Sequence, residues 1–223
     1  MLELYGVQDE RRDELIQIAR EARQNSWWRA YRDSQAAQTA YADMEIAAAS
    51  ILDYEPLVVP GLLQTEAYAR RVIRALYPEV PLEAIDDRVE LRLARQSILT
   101  EDDPPSLWAV LHEAALRQLV GGREVMREQL NHLYEQVQMP NVTFQVMPFD
   151  VGEHAGMDGA FTILRFPEAA DPDVVYIEQL TGQLYLERPE EIRRYSLVFD
   201  HLRAAALAPE VSIGFLADVA KEL

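Results

Sequence analysis

In the stretch Val142-Thr143-Phe144-Gln145-Val146-Met147, a β-branched or aromatic residue occupies every second position. A period of two predicts a β-strand with one face toward a core. Further strands are predicted over residues 161–166 and 174–180, and Thr181-Gly182 has the composition of a tight turn into a strand over residues 183–187. A buried strand is also expected over residues 107–111.

Apolar residues at helical spacing mark most of the remaining chain. Pro56 and Pro60 push the residues before them out of the helical region, so residues 53–59 are expected to be extended or irregular. Long helical runs that do not alternate regularly with the strands predict an α+β fold, in which helices flank a mostly antiparallel sheet of about five strands. The predicted helices cover residues 9–31, 34–50, 65–77, 82–99, 123–138 and 189–207, with a last short helix that begins at a capping residue, Ser212.

The composition limits the classes of function. The chain has 223 residues, 21 basic and 38 acidic side chains, and a formal net charge of −17. Such a charge disfavours binding to nucleic acid or to anionic membranes and favours basic or neutral partners. The absence of cysteine excludes disulfides, thiolate catalysis and cysteine-based zinc sites. No apolar run is long enough to span a bilayer and the first residues lack a signal-peptide pattern, so a cytoplasmic protein is expected.

The segment Val59–Arg70 combines a chain break with an unusual turn. Pro60-Gly61 breaks the chain, and Thr65 is suited to cap a new helix. Between them, Leu62-Leu63-Gln64 places an apolar pair and an amide where polar turn residues are expected. Two interpretations are open: a loop that packs on the core, or a loop that shapes a pocket or partner surface.

Four ionisable residues are candidates for chemistry. His112 and Glu113 end a predicted strand, His154 lies in a glycine-bracketed loop, and Glu178 follows an apolar run that predicts a half-buried carboxylate with a raised pKa. They could form a metal site or an acid–base pair, but no catalytic or metal-binding motif supports this. The alternative interpretation is structural. The histidines then lie at the surface or are hydrogen-bonded within the fold, and Glu113 and Glu178 form ion pairs with Arg92 or Arg95 on residues 82–99.

The other candidates are arginines and aromatic residues. Arg88, Arg92 and Arg95 lie at helical spacing and predict either a solvated face bridged to neighbouring acids or a clamp for a carboxylate or other anion. Four aromatic residues either belong to the core or line the mouth of a ligand site. They are Tyr54, Tyr68, Phe161 and Tyr176.

Several blocks of sequence carry a family resemblance. They are Tyr54-Glu55, Pro60-Gly61-Leu62-Leu63-Gln64-Thr65-Glu66-Ala67-Tyr68-Ala69, Arg92-Leu93-Ala94-Arg95-Gln96, Glu113-Ala114-Ala115-Leu116-Arg117, Val125–Leu130, His154–Phe161, Val174–Glu178 and Leu202–Leu207. With these blocks the chain resembles the C-terminal domain of actinobacterial, antitoxin-like transcriptional regulators, which carry a xenobiotic-response-type helix-turn-helix domain in front. The resemblance covers residues 5–216, and its specific part is the block from Pro60 to Glu66.

The resemblance carries expectations about domain organisation. In the family, the helix-turn-helix domain precedes a segment that looks like Leu4–Val7, whereas here Met1 lies almost directly before that segment. The DNA-binding half is therefore expected to be absent. Residues 1–32 are expected to be a connector helix, and residues 33–223 a single α+β effector or partner-binding domain. Nothing in the chain resembles a recognition helix, so no direct contact with nucleic acid is expected.

The resemblance implies a regulatory module that binds a small protein encoded by a neighbouring gene or a small-molecule effector. A homodimer would suit such a regulator, and no cofactor, metal or membrane contact is expected. We expect Gln64→Ala and Arg95→Ala to weaken binding more than folding. The expected binding residues are Leu62, Leu63, Gln64, Tyr68, Arg92, Arg95, Gln96, His154, Phe161 and Glu178.

Two alternatives remain open. The first is a stand-alone enzyme of a biosynthetic pathway that uses His112, Glu113, His154 and Glu178 on the same fold. The second is an interaction protein, such as a dimerisation partner of full-length regulators, with an apolar patch around Trp27 and Trp28.

Overall fold

A computed structural model describes residues 35–167, 172–180 and 182–223. The chain divides into two compact units, residues 1–43 and Met44–Leu223. The described part of the first unit is the beginning of helix α1 (Gln35–Ala47). The predicted connector helix, its residues Trp27 and Trp28, and the turn residue Thr181 lie outside the described residues.

The described residues form seven α-helices and six strands. After α1 the helices are α2 (Glu66–Leu76), α3 (Leu82–Arg95), α4 (Glu113–Arg117), α5 (Arg123–Gln136), α6 (Pro189–Ala205) and α7 (Pro209–Lys221). The strands are β1 (Ser50–Glu55), β2 (Ser106–His112), β3 (Val142–Met147), β4 (Phe161–Arg165), β5 (Val174–Gln179) and β6 (Gly182–Leu186). Short 3₁₀ turns cover Gly61–Leu63, Gln96–Thr100 and Phe149–Val151.

The six strands belong to one mixed sheet in the order β3-β2-β1-β4-β5-β6. β1, β2 and β3 run parallel, and β4, β5 and β6 continue the sheet in antiparallel pairs from β1. Parallel neighbours need crossover connections, which are supplied here by α2 and α3 between β1 and β2 and by α4 and α5 between β2 and β3. The antiparallel half of the sheet agrees with the sequence-based expectation, while the parallel half was not foreseen.

One face of the sheet carries the main apolar core. Because side chains alternate along a strand, Leu52 and Tyr54 of β1 share this face, and they pack with Phe161 and with Phe199 and Leu202 of α6. A smaller core lies between α2 and α3, where Ile73, Ile85 and Val89 are buried. The opposite face of β1 carries Ile51, Asp53 and Glu55.

Several helix and strand predictions are confirmed and others are wrong. Thr65 caps α2 as predicted, because its hydroxyl accepts a hydrogen bond from the Tyr68 amide at 3.3 Å. Strand β1 is the main correction: Ser50–Glu55 forms a central strand, whereas the sequence predicted a helix through Ser50 and an extended or irregular segment over residues 53–59. Ser212 is not a cap: α7 begins at Pro209, and the buried Ser212 hydroxyl accepts a hydrogen bond from the Val146 amide at 3.0 Å.

Among the described residues, every helix is too short or too polar to cross a bilayer.

Candidate functional site

The loop of residues 59–65, which precedes α2, is held in place by hydrogen bonds from amide and guanidinium side chains. Gln64 is buried, and its Nε2 donates to the Val59 carbonyl at 2.6 Å. Arg92 Nη1 donates to Gln64 Oε1 at 2.9 Å, and Gln96 Nε2 donates to the carbonyls of Gly61 and Gln64 at 2.9 and 2.7 Å. Arginine and glutamine of α3 and its 3₁₀ extension therefore satisfy the polar groups of a turn that has no regular ladder.

A second amide, Gln129 of α5, holds the same loop from another helix. Its Nε2 donates to the Leu63 carbonyl at 2.7 Å, and its Oε1 accepts from the Thr65 amide at 2.8 Å. The Tyr68 hydroxyl accepts from the Val59 amide at 3.2 Å. The geometry agrees with the core-packing interpretation of this loop, because Leu62, Leu63, Gln64 and Tyr68 are all buried. These four predicted binding residues all pack inside the structure that supports the loop, and their part in binding a ligand or partner stays a prediction.

A group of charged residues and tyrosines, here called the sheet-face cluster, lies on the face of β1 opposite the main core. The registers align Asp53 with Thr162, Thr162 with Tyr176, and Tyr176 with Tyr185, so one row of polar side chains crosses four strands. Glu55 and Glu178 lie two residues further along β1 and β5, on the same face of the sheet. The cluster consists of Glu45, Asp53, Glu55, Arg92, Arg95, Tyr176, Glu178 and Tyr185.

The two arginines of the cluster have different hydrogen-bond and ion-pair partners. Arg95 forms a two-point ion pair with the buried Glu45, from Nε to Oε2 at 2.7 Å and from Nη2 to Oε1 at 2.9 Å. Arg92 donates to Gln64, while Glu178 and Glu55 lie close enough to interact with its charge. Desolvation nevertheless lowers the pKa of the half-buried Arg92, with the nearby Arg95 acting in the same direction. This ion pair bridges Arg95 to a neighbouring acid, as one interpretation of the arginine row expected, while a clamp for the carboxylate or other anion of a ligand stays a prediction.

The carboxyl groups on β1 hold protons unusually strongly. Burial raises the pKa of Asp53 to about 7, and the nearby Glu45 charge adds to this, although a hydrogen bond from the Thr162 hydroxyl at 3.2 Å opposes it. Burial raises the pKa of Glu55 well above its ordinary value, with Asp53 and Glu178 acting in the same direction. In both groups the first cause of the raised pKa is burial, which disfavours the charged form of the carboxyl group.

Tyrosines lie on the side of the cluster that is nearest to β6, the edge strand of the sheet. The rings of Tyr176 and Tyr185 lie 5.2 Å apart, and burial raises the pKa of both phenols, with nearby Glu178 acting in the same direction. Tyr77, at the end of α2, donates a long hydrogen bond of 3.5 Å to Glu178 and has the guanidinium of Arg88 over its ring at 4.3 Å. Glu178 itself is exposed, not half-buried as predicted, because it lies near the end of β5 beyond the cover of the helices.

The two candidate histidines meet on the opposite face of the sheet. The ring centroids of His112 and His154 are 5.5 Å apart, and His154 also makes an edge contact with Tyr54 at 6.1 Å. Tyr54 and Phe161 belong to the apolar core on this face. The structure therefore brings His112, His154 and the neighbouring Glu113 together and places Glu178 on the other side of the sheet.

Both histidines already use the nitrogen that a general base would need. His112 Nδ1 accepts from the Ala114 amide and His154 Nδ1 accepts from the Gly156 amide, each at 3.2 Å. A neutral imidazole that accepts at Nδ1 carries its proton on Nε2, so neither ring has a free lone pair. Glu113 is also engaged: it accepts from the Phe149 amide at 2.9 Å and pairs with Arg117 at 2.5 Å. The predicted ion pair of Glu113 with Arg92 or Arg95 is wrong, since an arginine one turn along α4 is nearer.

No group of three or more histidine, aspartate or glutamate side chains in the described part of the chain is arranged to hold a metal ion.

The sheet-face cluster contains three carboxylates that sequence analysis did not select, namely Glu45, Asp53 and Glu55. A signal for two of them was present, because Asp53 and Glu55 alternate with Leu52 and Tyr54. This is the pattern of a strand with one apolar and one acidic face, and it was obscured by the prolines that follow. Glu45 gave no signal, since its importance depends on Arg95, which lies 50 residues further along the chain.

Residues 38–218 match a known protein family, described as "Domain of unknown function (DUF5753)". No curated protein matches the chain. No solved structure matches it either.

Proposed function

This chain belongs to the DUF5753 family of domains of unknown function, and from that premise we propose that it is the regulatory binding domain of an antitoxin-like transcriptional regulator of the xenobiotic-response type. Its expected partner is a small protein encoded by a neighbouring gene or a small-molecule effector. The resemblance of the block from Pro60 to Glu66 to the actinobacterial regulators supports the regulatory assignment.

We place binding at the sheet-face cluster because carboxyl groups outnumber guanidinium groups there among the residues that the structure describes. Four carboxyl groups, those of Glu45, Asp53, Glu55 and Glu178, lie with two guanidinium groups. This excess of carboxyl groups is the observation that carries the proposal, and the raised pKa values of Asp53 and Glu55, caused first by burial and increased by neighbouring carboxylates, agree with it. A cationic side chain or amine of the partner would offset the excess negative charge.

Two further features suit a cationic partner. The ring of Tyr77, whose hydroxyl donates a hydrogen bond to Glu178, already has one guanidinium over it, that of Arg88. The chain as a whole carries a formal charge of −17, which favours encounter with a basic molecule. Glu178 is exposed and is the natural point of first contact.

The enzyme alternative has weaker support. It needs a general base, and the Nδ1 lone pairs of both His112 and His154 accept backbone hydrogen bonds. It also needs Glu178 beside the histidines, whereas this carboxylate lies on the opposite face of the sheet.

The proposal is tested by titration calorimetry of the chain with the purified product of the neighbouring gene. We expect Glu178→Gln to weaken binding by about five- to thirtyfold, because a charge-assisted contact contributes roughly 1 to 2 kcal/mol. Glu90→Gln removes an equal charge from an exposed position on α3 and is the matched control, expected to leave the affinity unchanged. Equal affinities of the wild type and Glu178→Gln, or no measurable binding by the wild type, would count against the proposal.

A further inference from the structure

The histidine pair holds one end of a surface loop in place, and we infer that His112 and His154 form a proton-sensitive latch for the loop of residues 148–160. The latch is closed while both imidazoles are neutral and opens when they take up protons. The inference concerns the face of the sheet opposite the sheet-face cluster and does not depend on the proposed function.

The hydrogen bonds of the two rings require the neutral form. His112 is the last residue of β2 and caps α4, because its Nδ1 accepts from the Ala114 amide. His154 makes the equivalent bond to the Gly156 amide inside the loop. An added proton must go to Nδ1, since Nε2 already carries one, and the imidazolium would then direct an N–H toward a backbone N–H. Protonation therefore breaks both bonds.

The closeness of the rings increases the cost of protonation. Their centroids are 5.5 Å apart at an interplanar angle of 35°, so two positive charges would repel each other. Phe149 packs edge-on against His112 at 5.2 Å and Tyr54 against His154, so the rings have neutral neighbours on these sides.

The only carboxylate that acts on the pair within the described residues is Glu113, which favours protonation of His112. It is already held by Arg117 and by the Phe149 amide, and Arg117 is shared with Glu222. Glu113 therefore moderates the repulsion without providing a free counter-ion for a second proton.

The direction of the pH dependence follows from the closed state. Burial lowers the pKa of both histidines in the folded protein, and for His112 the neighbouring His154 acts in the same direction. When the loop is open, the pKa values return toward the ordinary value of about 6.5, so the open form binds more protons at mildly acidic pH. The latch is therefore fully stabilising above about pH 6.5 and weakens as the pH falls below it.

Opening would uncover a packed core residue. Gly156 lies directly over the ring of Tyr54, so close that a Cβ at position 156 would be 2.6 Å from Tyr54 Cζ. Tyr54 is fully buried, and its hydroxyl has no hydrogen-bond partner within the described residues. Exposure of this hydroxyl to water favours the open state, whereas the burial of the ring opposes it.

The latch is tested by hydrogen exchange of the loop amides in the full chain at pH 7.5 and 5.5, corrected for the intrinsic effect of pH on exchange. We expect the opening equilibrium for residues 152–158 to rise by about tenfold at the lower pH, in line with proton uptake by two sites. In the variant that combines His112→Asn with His154→Asn, the amide oxygens keep both acceptors but do not titrate, so we expect no rise. His201→Asn, at an exposed position on α6, is the control and should behave as the wild type.

Two outcomes would overturn the latch: equal opening of the wild-type loop at the two pH values, or the same rise in the double asparagine variant. If the double variant does not fold, imidazole ¹⁵N shifts of the wild type decide the question. The latch requires both rings to be neutral with the proton on Nε2 at pH 7.5, and a proton on Nδ1 of either ring would contradict it.

Discussion

Arg95 on α3 and Glu45 near the end of α1 form a two-point ion pair across 50 residues of sequence. Glu45 is only 2% exposed, so its charge depends on this partner. Removing one member of a buried pair leaves the other charge uncompensated, and this usually costs more than removing both.

Arg95→Ala is therefore expected to destabilise the fold by about 3 to 5 kcal/mol. This differs from the expectation from sequence alone, that the change weakens binding more than folding. Urea denaturation of Arg95→Ala, of Glu45→Gln and of the double variant measures the coupling between the two side chains. Costs of the two single changes that simply add in the double variant would contradict the assignment.

Gln129→Leu is expected to destabilise the protein by about 2 to 4 kcal/mol, because the Leu63 carbonyl and the Thr65 amide both lose their buried partner. The matched control is Gln118→Leu at an exposed position, which should change stability by less than about 0.5 kcal/mol. Thermal or urea unfolding distinguishes the two. Similar stability of the two variants would show that the amide network contributes little.

Asp53 is expected to make the protein less stable as the pH rises. Its folded-state pKa is about 7 against an ordinary value of 3.8, so the folded protein binds the extra proton between these values and its stability falls over that range. Asp53→Asn keeps an acceptor for Thr162 but has no charge, so it should stabilise the protein at pH 7.5 by roughly 1 to 3 kcal/mol and have little effect near pH 4. Urea denaturation at the two pH values checks this, and a pH-independent effect of the substitution would contradict it.

Much of the fold follows from local sequence, but its central strand does not. Strand β3 shows a period-two pattern, β5 begins with a continuous apolar run, and Thr65 caps α2 because a hydroxyl precedes a helical run. In β1, acidic side chains alternate with Leu52 and Tyr54, but the prolines that follow obscured this strand pattern. The parallel pairing of β1, β2 and β3 is a property of the crossover connections, and no local signal specifies it.

The composition of the candidate sites, like the pairing of the strands, could be predicted from local sequence only in part. The sequence identified Arg92, Arg95 and Glu178 for the sheet-face cluster, and the pair of His112 and His154 for the opposite face. It could not separate the two groups, because the side of the sheet that a residue occupies depends on register. It also did not show the structural contacts around Gln64, since Arg92 of α3 donates to the Gln64 side chain and Gln129 of α5 donates to the carbonyl of the neighbouring Leu63.

Gly156 and Gly214 differ in the space that surrounds them. A Cβ at position 156 would be 2.4 Å from Tyr54 Cε1 and 3.0 Å from Leu202 Cδ2, whereas a Cβ at Gly214 of α7 meets nothing within 4 Å. We therefore expect Gly156→Ala to destabilise the protein by about 1 to 3 kcal/mol through overpacking. Gly214→Ala should stabilise it by roughly 0.5 to 1 kcal/mol, because alanine favours a helix.

Urea denaturation of both variants measures these changes, and Tyr54→Leu in the Gly156→Ala background separates the contact from other effects. The smaller leucine makes room for the new methyl group, so the cost of Gly156→Ala should be lower in that background than in the wild type. An equal cost in the two backgrounds would mean that the contact with Tyr54 is not what requires glycine at position 156.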